Sequence, residues 1–247
     1  MPEFVTRDDR NGCATLRLNR PRKLNALTVE MFKELRKHVD AISDDERVGV
    51  VVLRGNGRCF SAGHDLADIA DGESPPSPHF QAHTIEALSN LRQPVISAVH
   101  GYCYTGALEL ALAGDIIIAS ANARFADTHA KWALTPVWGL SQRLPRRIGP
   151  SKAREMMFTC RAMDGAEAAA IGLANRCVPD DEFDAAIADM VEMITAQSWF
   201  SHAANKRLLR ETDGFSLDAG LARETYRSEG AGHDVQARLA SFLAGKN

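Results

Sequence analysis

Residues 100–115 read HGYCYTGALELALAGD, and the fold turns on how they are parsed. The run before them, 94–99, reads as a buried strand, and glycine at 101 breaks it. From Gly106 onward Ala107, Leu108, Leu110, Ala111 and Leu112 make an apolar helix that carries one acid, Glu109. Positions three apart share a helix face, so the Glu109 carboxylate is predicted one turn below the free N–H of Gly106. A donor and a carboxylate then converge on one small volume. Apolar neighbours raise the pKa of such an acid while a helix N-terminus lowers it, and the sequence leaves the sign open. A lone acid in an apolar helix is ordinarily structural, so a functional reading of Glu109 requires a second half-site elsewhere.

Working outward, residues 115–120 (DIIIAS) are another buried strand, and 48–53 is a continuous β-branched run of the kind covered on both faces. Between them a short helix is predicted at 66–70 and a longer one at 80–91. The alternation of strand and helix from 48 to 120 argues for an α/β architecture of crossover units. Further upstream, 13–18 alternates as a half-buried strand. Thr28 is an N-cap for a helix with Phe32, Leu35, Val39 and Ile42 at helical spacing. Residues 72–78 (GESPPSP) are expected to be an exposed, mobile loop. Residues 123–139 have the mixed texture of a site-lining segment. Beyond Gly149 the pattern is helical, with helices predicted at 151–159, 165–171, 181–197, 202–211, 217–228 and 233–243. Several helices with little sheet to cover suggest packing against a neighbouring subunit. The division expected is a core over residues 1–190 and a helical region over 191–247.

Composition narrows the function classes. The chain has 247 residues, 45% apolar and 25% charged, with a formal net charge of −3. That balance gives no general attraction to nucleic acid or to an anionic membrane surface. The five cysteines are scattered, odd in number and free of any C-x-x-C pair, which points to neither a disulfide framework nor a thiolate metal site. No apolar leader precedes residue 13, and no run approaches the roughly 18 apolar residues of a membrane-spanning helix. A cytoplasmic protein without a thiolate metal site is expected.

The second half-site is Phe60-Ser61-Ala62-Gly63-His64-Asp65, a glycine loop after a buried strand and before a short helix. Such a loop presents unpaired backbone N–H groups, and the amide of His64 is the natural donor. His64 N–H and Gly106 N–H together would stabilise the oxyanion of a thioester enolate.

These segments resemble the enoyl-CoA hydratase/isomerase, or crotonase, family. The resemblance runs from LRLNRP at 16–21 and Asn25-Ala26-Leu27, through FSAGHDL at 60–66 and HGYCYTGALELALAGDIIIAS at 100–120, to Gln142-Arg143-Leu144 and the Ala166-Glu167-Ala168 and Gly172-Leu173 stretches. The order and spacing of these pieces carry it, since each alone is weak. The resemblance implies a crotonase-like α/β fold, a spiral of ββα turns with a C-terminal helical trimerisation region, assembled as a homotrimer or as a hexamer formed by two trimers. It implies an acyl-CoA thioester substrate and no cofactor beyond the coenzyme A that the substrate brings.

By position, the resemblance makes His64 and Gly106 the oxyanion-hole residues and Glu109 the first catalytic glutamate of the hydratases. It places coenzyme A against Lys23, Leu24, Ala26, Ala62, Asp65 and Leu66. The second catalytic glutamate falls on His129, in Phe125-Ala126-Asp127-Thr128-His129, a departure from the hydratase pattern. An imidazole is a chemically reasonable replacement at neutral pH. Asp127 and Lys131 are expected to be solvated or structural, and Trp132 and Trp138 to be core or pocket wall. Hydration of a 2-enoyl-CoA to a 3-hydroxyacyl-CoA is the leading expectation. Its rivals are an isomerase, decarboxylase or thioester hydrolase on the same fold, a non-catalytic acyl-CoA binder that has lost the second glutamate, and an RNA-binding relative.

Overall fold

The computed structural model describes residues 3–245. Nine strands are present among them: β1 (Val5–Arg10), β2 (Cys13–Leu18), β3 (Val50–Gly55), β4 (Val95–Val99), β5 (Tyr102–Tyr104), β6 (Ile116–Ser120), β7 (Arg124–Ala126), β8 (Met163–Asp164) and β9 (Arg176–Val178). The helices are α1 (Val29–Ser43), α2 (Leu66–Asp71), α3 (Phe80–Ser89), α4 (Gly106–Ala111), α5 (Leu140–Ile148), α6 (Pro150–Thr159), α7 (Gly165–Ala170), α8 (Phe183–Thr195), α9 (Trp199–Glu211), α10 (Leu217–Arg227) and α11 (Val235–Ala244).

The main sheet has the order β1-β2-β3-β4-β6-β9. It is parallel from β2 to β9, with β1 added as an antiparallel edge. Its central strands, β3, β4 and β6, are largely apolar on both faces, as fits a sheet covered on both sides. Successive side chains point to opposite sides, so Val51, Leu53, Val95, Val99 and Ile117 enter one core with Phe32, Leu35, Val39, Ile85 and Leu88 of α1 and α3. Val50, Val52, Ile96, Ala98 and Ile118 meet Phe183, Ile187 and Ile194 of α8 on the other face. Each large side chain so buried contributes about 1.5–3 kcal/mol. The expected cap of α1 is in place, with Thr28 Oγ1 accepting from Met31 N at 3.2 Å.

A second, three-stranded sheet, β5-β7-β8, lies beyond the main one. It was not expected from sequence, and neither was β1 or β9. Two short strands interrupt the helical pattern expected beyond Gly149, β8 and β9, and β9 is the sixth strand of the main sheet; after Pro179 the described residues form helices alone. Helix α9 also starts earlier than predicted, at Trp199, because Ser198 caps it. The Trp199 ring is packed so closely on Gly49 that a methyl group added there would fall 2.2 Å from it. Lys206 of the same helix is buried and donates to Asp115 Oδ2 at 2.6 Å and to Gln93 O at 2.9 Å. These contacts fix α9 to the sheet.

The sheet sets up the site by where its strands end. β3 feeds the glycine loop, and β4 turns through Gly101 into β5 and then α4. Bridges between Leu27 and His64 and between Ser61 and Cys103 tie the loop to the chain on either side. Asn25, fully buried at a left-handed φ of 53°, pins the loop through Nδ2 to the carbonyls of Asn56, Cys59 and Phe60.

Candidate active site

The two glycine-bearing halves meet. Leu27 N donates to Gly63 O and Asp65 N donates to Leu27 O, so the intervening His64 N–H points the other way, toward α4. A methyl group built on Gly106 would lie 3.4 Å from His64 N, and one on Gly63 would lie 3.7 Å from Gly106 N. Among the described residues neither amide has a hydrogen-bond acceptor. Two free backbone donors therefore lie close together beside the cavity.

Glu109 lies on α4 as expected and is 1% exposed. Its Oε1 accepts from Trp138 N at 2.9 Å and from Leu140 N at 3.1 Å. Those two bonds orient the carboxylate and leave Oε2 facing His129 Nε2 at 3.8 Å. Burial raises the Glu109 pKa above the ordinary carboxylate value, and this outweighs the lowering by the Leu140 amide, His129 and the Trp138 amide. The sign left open by the sequence is therefore settled in favour of a more basic carboxylate.

His129 is buried in the short 3-10 turn after β7, and its partner is Asp127, to which the sequence assigned no part in the site. Asp127 Oδ1 accepts from the His129 amide at 3.0 Å and is 2.6 Å from Nδ1. Asp127 is 1% exposed, so of the two expectations for it, solvated or structural, the second holds. A carboxylate is acceptor-only, which makes Nδ1 the donor and leaves Nε2 aimed at Glu109. Lys131 is exposed and lies over the Trp132 ring, 5.3 Å from its centroid.

A cavity of about 570 Å³ joins these groups. Ala62, His64, Gly106, Glu109 and His129 all line it, with Leu66, Ile69, Trp132, Leu134, Val137 and Trp138 as apolar wall. Trp138 is buried as pocket wall, its ring 4.6 Å from that of His64 and 5.0 Å from that of Phe32. Of the six residues expected to hold coenzyme A, Ala62 and Leu66 line this cavity. Lys23, Leu24 and Ala26 run beside the loop, with Leu24 O accepting from Ala62 N at 2.9 Å. The Asp65 side chain is turned elsewhere, capping α2 through Ala67 N and pairing with Arg20 at 3.0 Å.

Glu73 was also missed. The loop at 72–78 is not wholly exposed as expected: Glu73 turns inward and lines the cavity. Its Oε1 lies 2.5 Å from His64 Nε2, and its Oε2 accepts from Gln81 Nε2 at 3.1 Å. Thr105 and Thr128 also line the cavity, beside Gly106 and His129. Thr105 has φ 53° and ψ −109°, a conformation for which a β-branched residue is poorly suited.

The sequence profile of the enoyl-CoA hydratase/isomerase family matches residues 8–238. The chain belongs to that family. It is 34% identical over 249 residues to an Arabidopsis thaliana protein described as probable enoyl-CoA hydratase 1, peroxisomal, covering 95% of this chain and 90% of the relative. It is 30% identical over 256 residues to the crotonyl-CoA hydratase of Syntrophomonas wolfei, covering 98% of each. Among solved structures, an enoyl-CoA hydratase from Bacillus anthracis superposes with a TM-score of 0.92 at 29% identity, over 98% of this chain and 96% of that one. The chain therefore has the crotonase fold.

Proposed function

We propose that the protein hydrates a 2-enoyl-CoA to a 3-hydroxyacyl-CoA. The observation that carries this reading is the 3.8 Å separation between Glu109 Oε2 and His129 Nε2. It is too long for a direct hydrogen bond, and it suits one water molecule donating to both acceptors at about 2.8 Å each. Such a water has its hydrogens committed and its lone pair free.

The reaction follows from that placement. The thioester carbonyl oxygen is held by His64 N–H and Gly106 N–H, the water oxygen bonds to C3, and the C2=C3 electron pair moves into the thioester enolate. Glu109, made more basic by burial, takes the water proton and returns it to C2, so one water is added across the double bond. The Asp127 carboxylate holds His129 with Nε2 free to accept from the water. Each well-placed acid–base group supports about 10² to 10⁴ in rate, and each oxyanion donor about 3–4 kcal/mol. Proton transfer and oxyanion stabilisation by the chain's own groups cover the chemistry, so the reading asks for no metal or further cofactor. The family relationship and the name of the Syntrophomonas relative support the acyl-CoA substrate.

Residues 191–247 are read as the oligomerisation region of a trimer or a hexamer of two trimers. Support comes from large apolar side chains exposed on the last helices and the turn before α10, among them Phe215, Leu217, Leu221, Tyr226 and Leu239. A cytoplasmic location is read from five cysteines that are all free. No helix among the described residues is long and apolar enough to cross a membrane.

The test is the loss of conjugated-enoyl absorbance when crotonyl-CoA is added, with the product identified as 3-hydroxybutyryl-CoA. No turnover by the parent protein, or a Glu109→Gln variant as fast as the parent, overturns the assignment.

A further inference from the structure

Thr105 stands immediately before the oxyanion residue Gly106 and combines two features that packing alone does not require. Its backbone, at φ 53° and ψ −109°, is in a region that glycine enters freely and a β-branched residue enters only under strain. Its side chain is bound on a different element. Oγ1 lies 2.5 Å from Thr128 Oγ1 and accepts from Thr128 N at 3.0 Å. The backbone is tied in the same direction, since Thr105 N donates to Ala126 O at 2.8 Å while Thr105 O accepts from Glu109 N at 3.0 Å. Thr105 is thus bonded to the residues on both sides of Asp127, and Thr128 leads directly into His129.

We propose that Thr105 is a positioning residue, a clamp whose hydroxyl sets the Gly106 oxyanion amide in register with the Asp127–His129 arm. The inference rests on the hydratase reading of the same site. One residue has the oxyanion amide as its C-terminal neighbour, accepts the first backbone bond of Glu109, and grips the segment that carries His129. A glycine at 105 would relax the backbone but lose that grip. The strain persists in the structure together with the hydroxyl bonds that hold it, and a misplacement of reacting groups by about 1 Å costs on the order of 100-fold in rate.

The experiment compares the parent with Thr105→Gly, Thr105→Ser and Thr128→Val in the full-length protein. Melting temperature, kcat and KM on crotonyl-CoA are measured, together with the enolate absorbance of bound acetoacetyl-CoA, whose enolate oxygen would accept from the His64 and Gly106 amides. Thr105→Gly is expected to stay folded and to lose about 10- to 100-fold in kcat, with KM within about threefold because ground-state binding is little changed. Its enolate signal weakens, and Thr105→Ser, which keeps the hydroxyl, regains most of both. Thr128→Val weakens both from the other side of the clamp and replaces Thr105→Gly as the judge if that variant does not fold. Parent-like kcat and enolate signal in a folded Thr105→Gly overturn the clamp. So does a loss of kcat with an unchanged enolate signal, because Thr105 then acts on the His129 arm alone. So does activity that follows only the folded fraction in both variants. If the parent does not hydrate crotonyl-CoA, the hydratase reading fails by itself and the enolate signal alone decides the clamp.

Discussion

Glu109 Oε2 and His129 Nε2 face each other across 3.8 Å, with Glu109 held by two backbone amides and His129 by a buried carboxylate. Both groups are oriented from behind, and both leave one polar atom turned to the gap. A His129→Ala variant is therefore expected to keep its fold and its acyl-CoA affinity while kcat falls about 10²- to 10⁴-fold. Steady-state kinetics on crotonyl-CoA check this, and a kcat unchanged by the substitution removes His129 from the chemistry.

Asp127 sets the tautomer. Asn at this position keeps an oxygen for the His129 amide, yet it replaces a charged acceptor at Nδ1 with a neutral one, and its amide can instead donate there. Nε2 then carries the proton and meets the water as a donor. A hydrogen bond to a charged group is worth about 1.5–3 kcal/mol, so Asp127→Asn should lower kcat by about 10- to 100-fold. The imidazole 15N chemical shifts report the change directly. A variant that lost activity but kept the parent's Nδ1–H tautomer would contradict this account.

Glu73 ties the start of the 72–78 loop to His64 at the cavity wall. Its other carboxylate oxygen accepts from Gln81 of α3. The pair is about one-fifth exposed, so its contribution is at the upper end of the surface range, about 1 kcal/mol. Glu73→Ala is expected to raise KM by about fivefold, the equivalent of that energy, and to expose the loop to proteolysis. Limited digestion with and without acyl-CoA measures the second effect. A loop as resistant as the parent's would show that Glu73 does not hold it.

What was legible in the sequence is what leaves a local mark. Val50 to Leu53 and Ile116 to Ile118 announce buried parallel strands by continuous apolar runs. Gly63 and Gly106 announce the two loops that meet at the site because a close backbone approach demands a missing Cβ. Edge strand β1, VTRDDR, leaves no such mark, since its polar residues face outward and its partner is set by the hairpin. Strands of two or three residues, β5, β7, β8 and β9, are too short for any period to show. Asp127 and Glu73 were missed for a different reason. Both are polar residues in irregular segments, and only tertiary structure turns a solvated-looking acid into the partner of a histidine.

The buried Glu109 carboxylate also has a stability consequence whose sign follows from its surroundings. Burial raises its pKa in the folded chain above the ordinary value of 4.5 despite the opposing amide bonds and His129. The folded state thus holds this proton more tightly than the unfolded state, and its contribution to stability is full below about pH 4.5 and declines as the pH rises through the folded-state pKa. Glu109→Gln keeps an oxygen for the Trp138 and Leu140 amides and removes the titration. The variant is expected to gain melting temperature relative to the parent as pH rises from 4.5 toward neutrality, while losing about 10²- to 10⁴-fold in kcat. Paired thermal melts across that range provide the measurement. A difference between the two proteins that stays constant with pH, or that narrows in the variant's disfavour, would show that the carboxylate is not held in an unfavourable charged state by the fold.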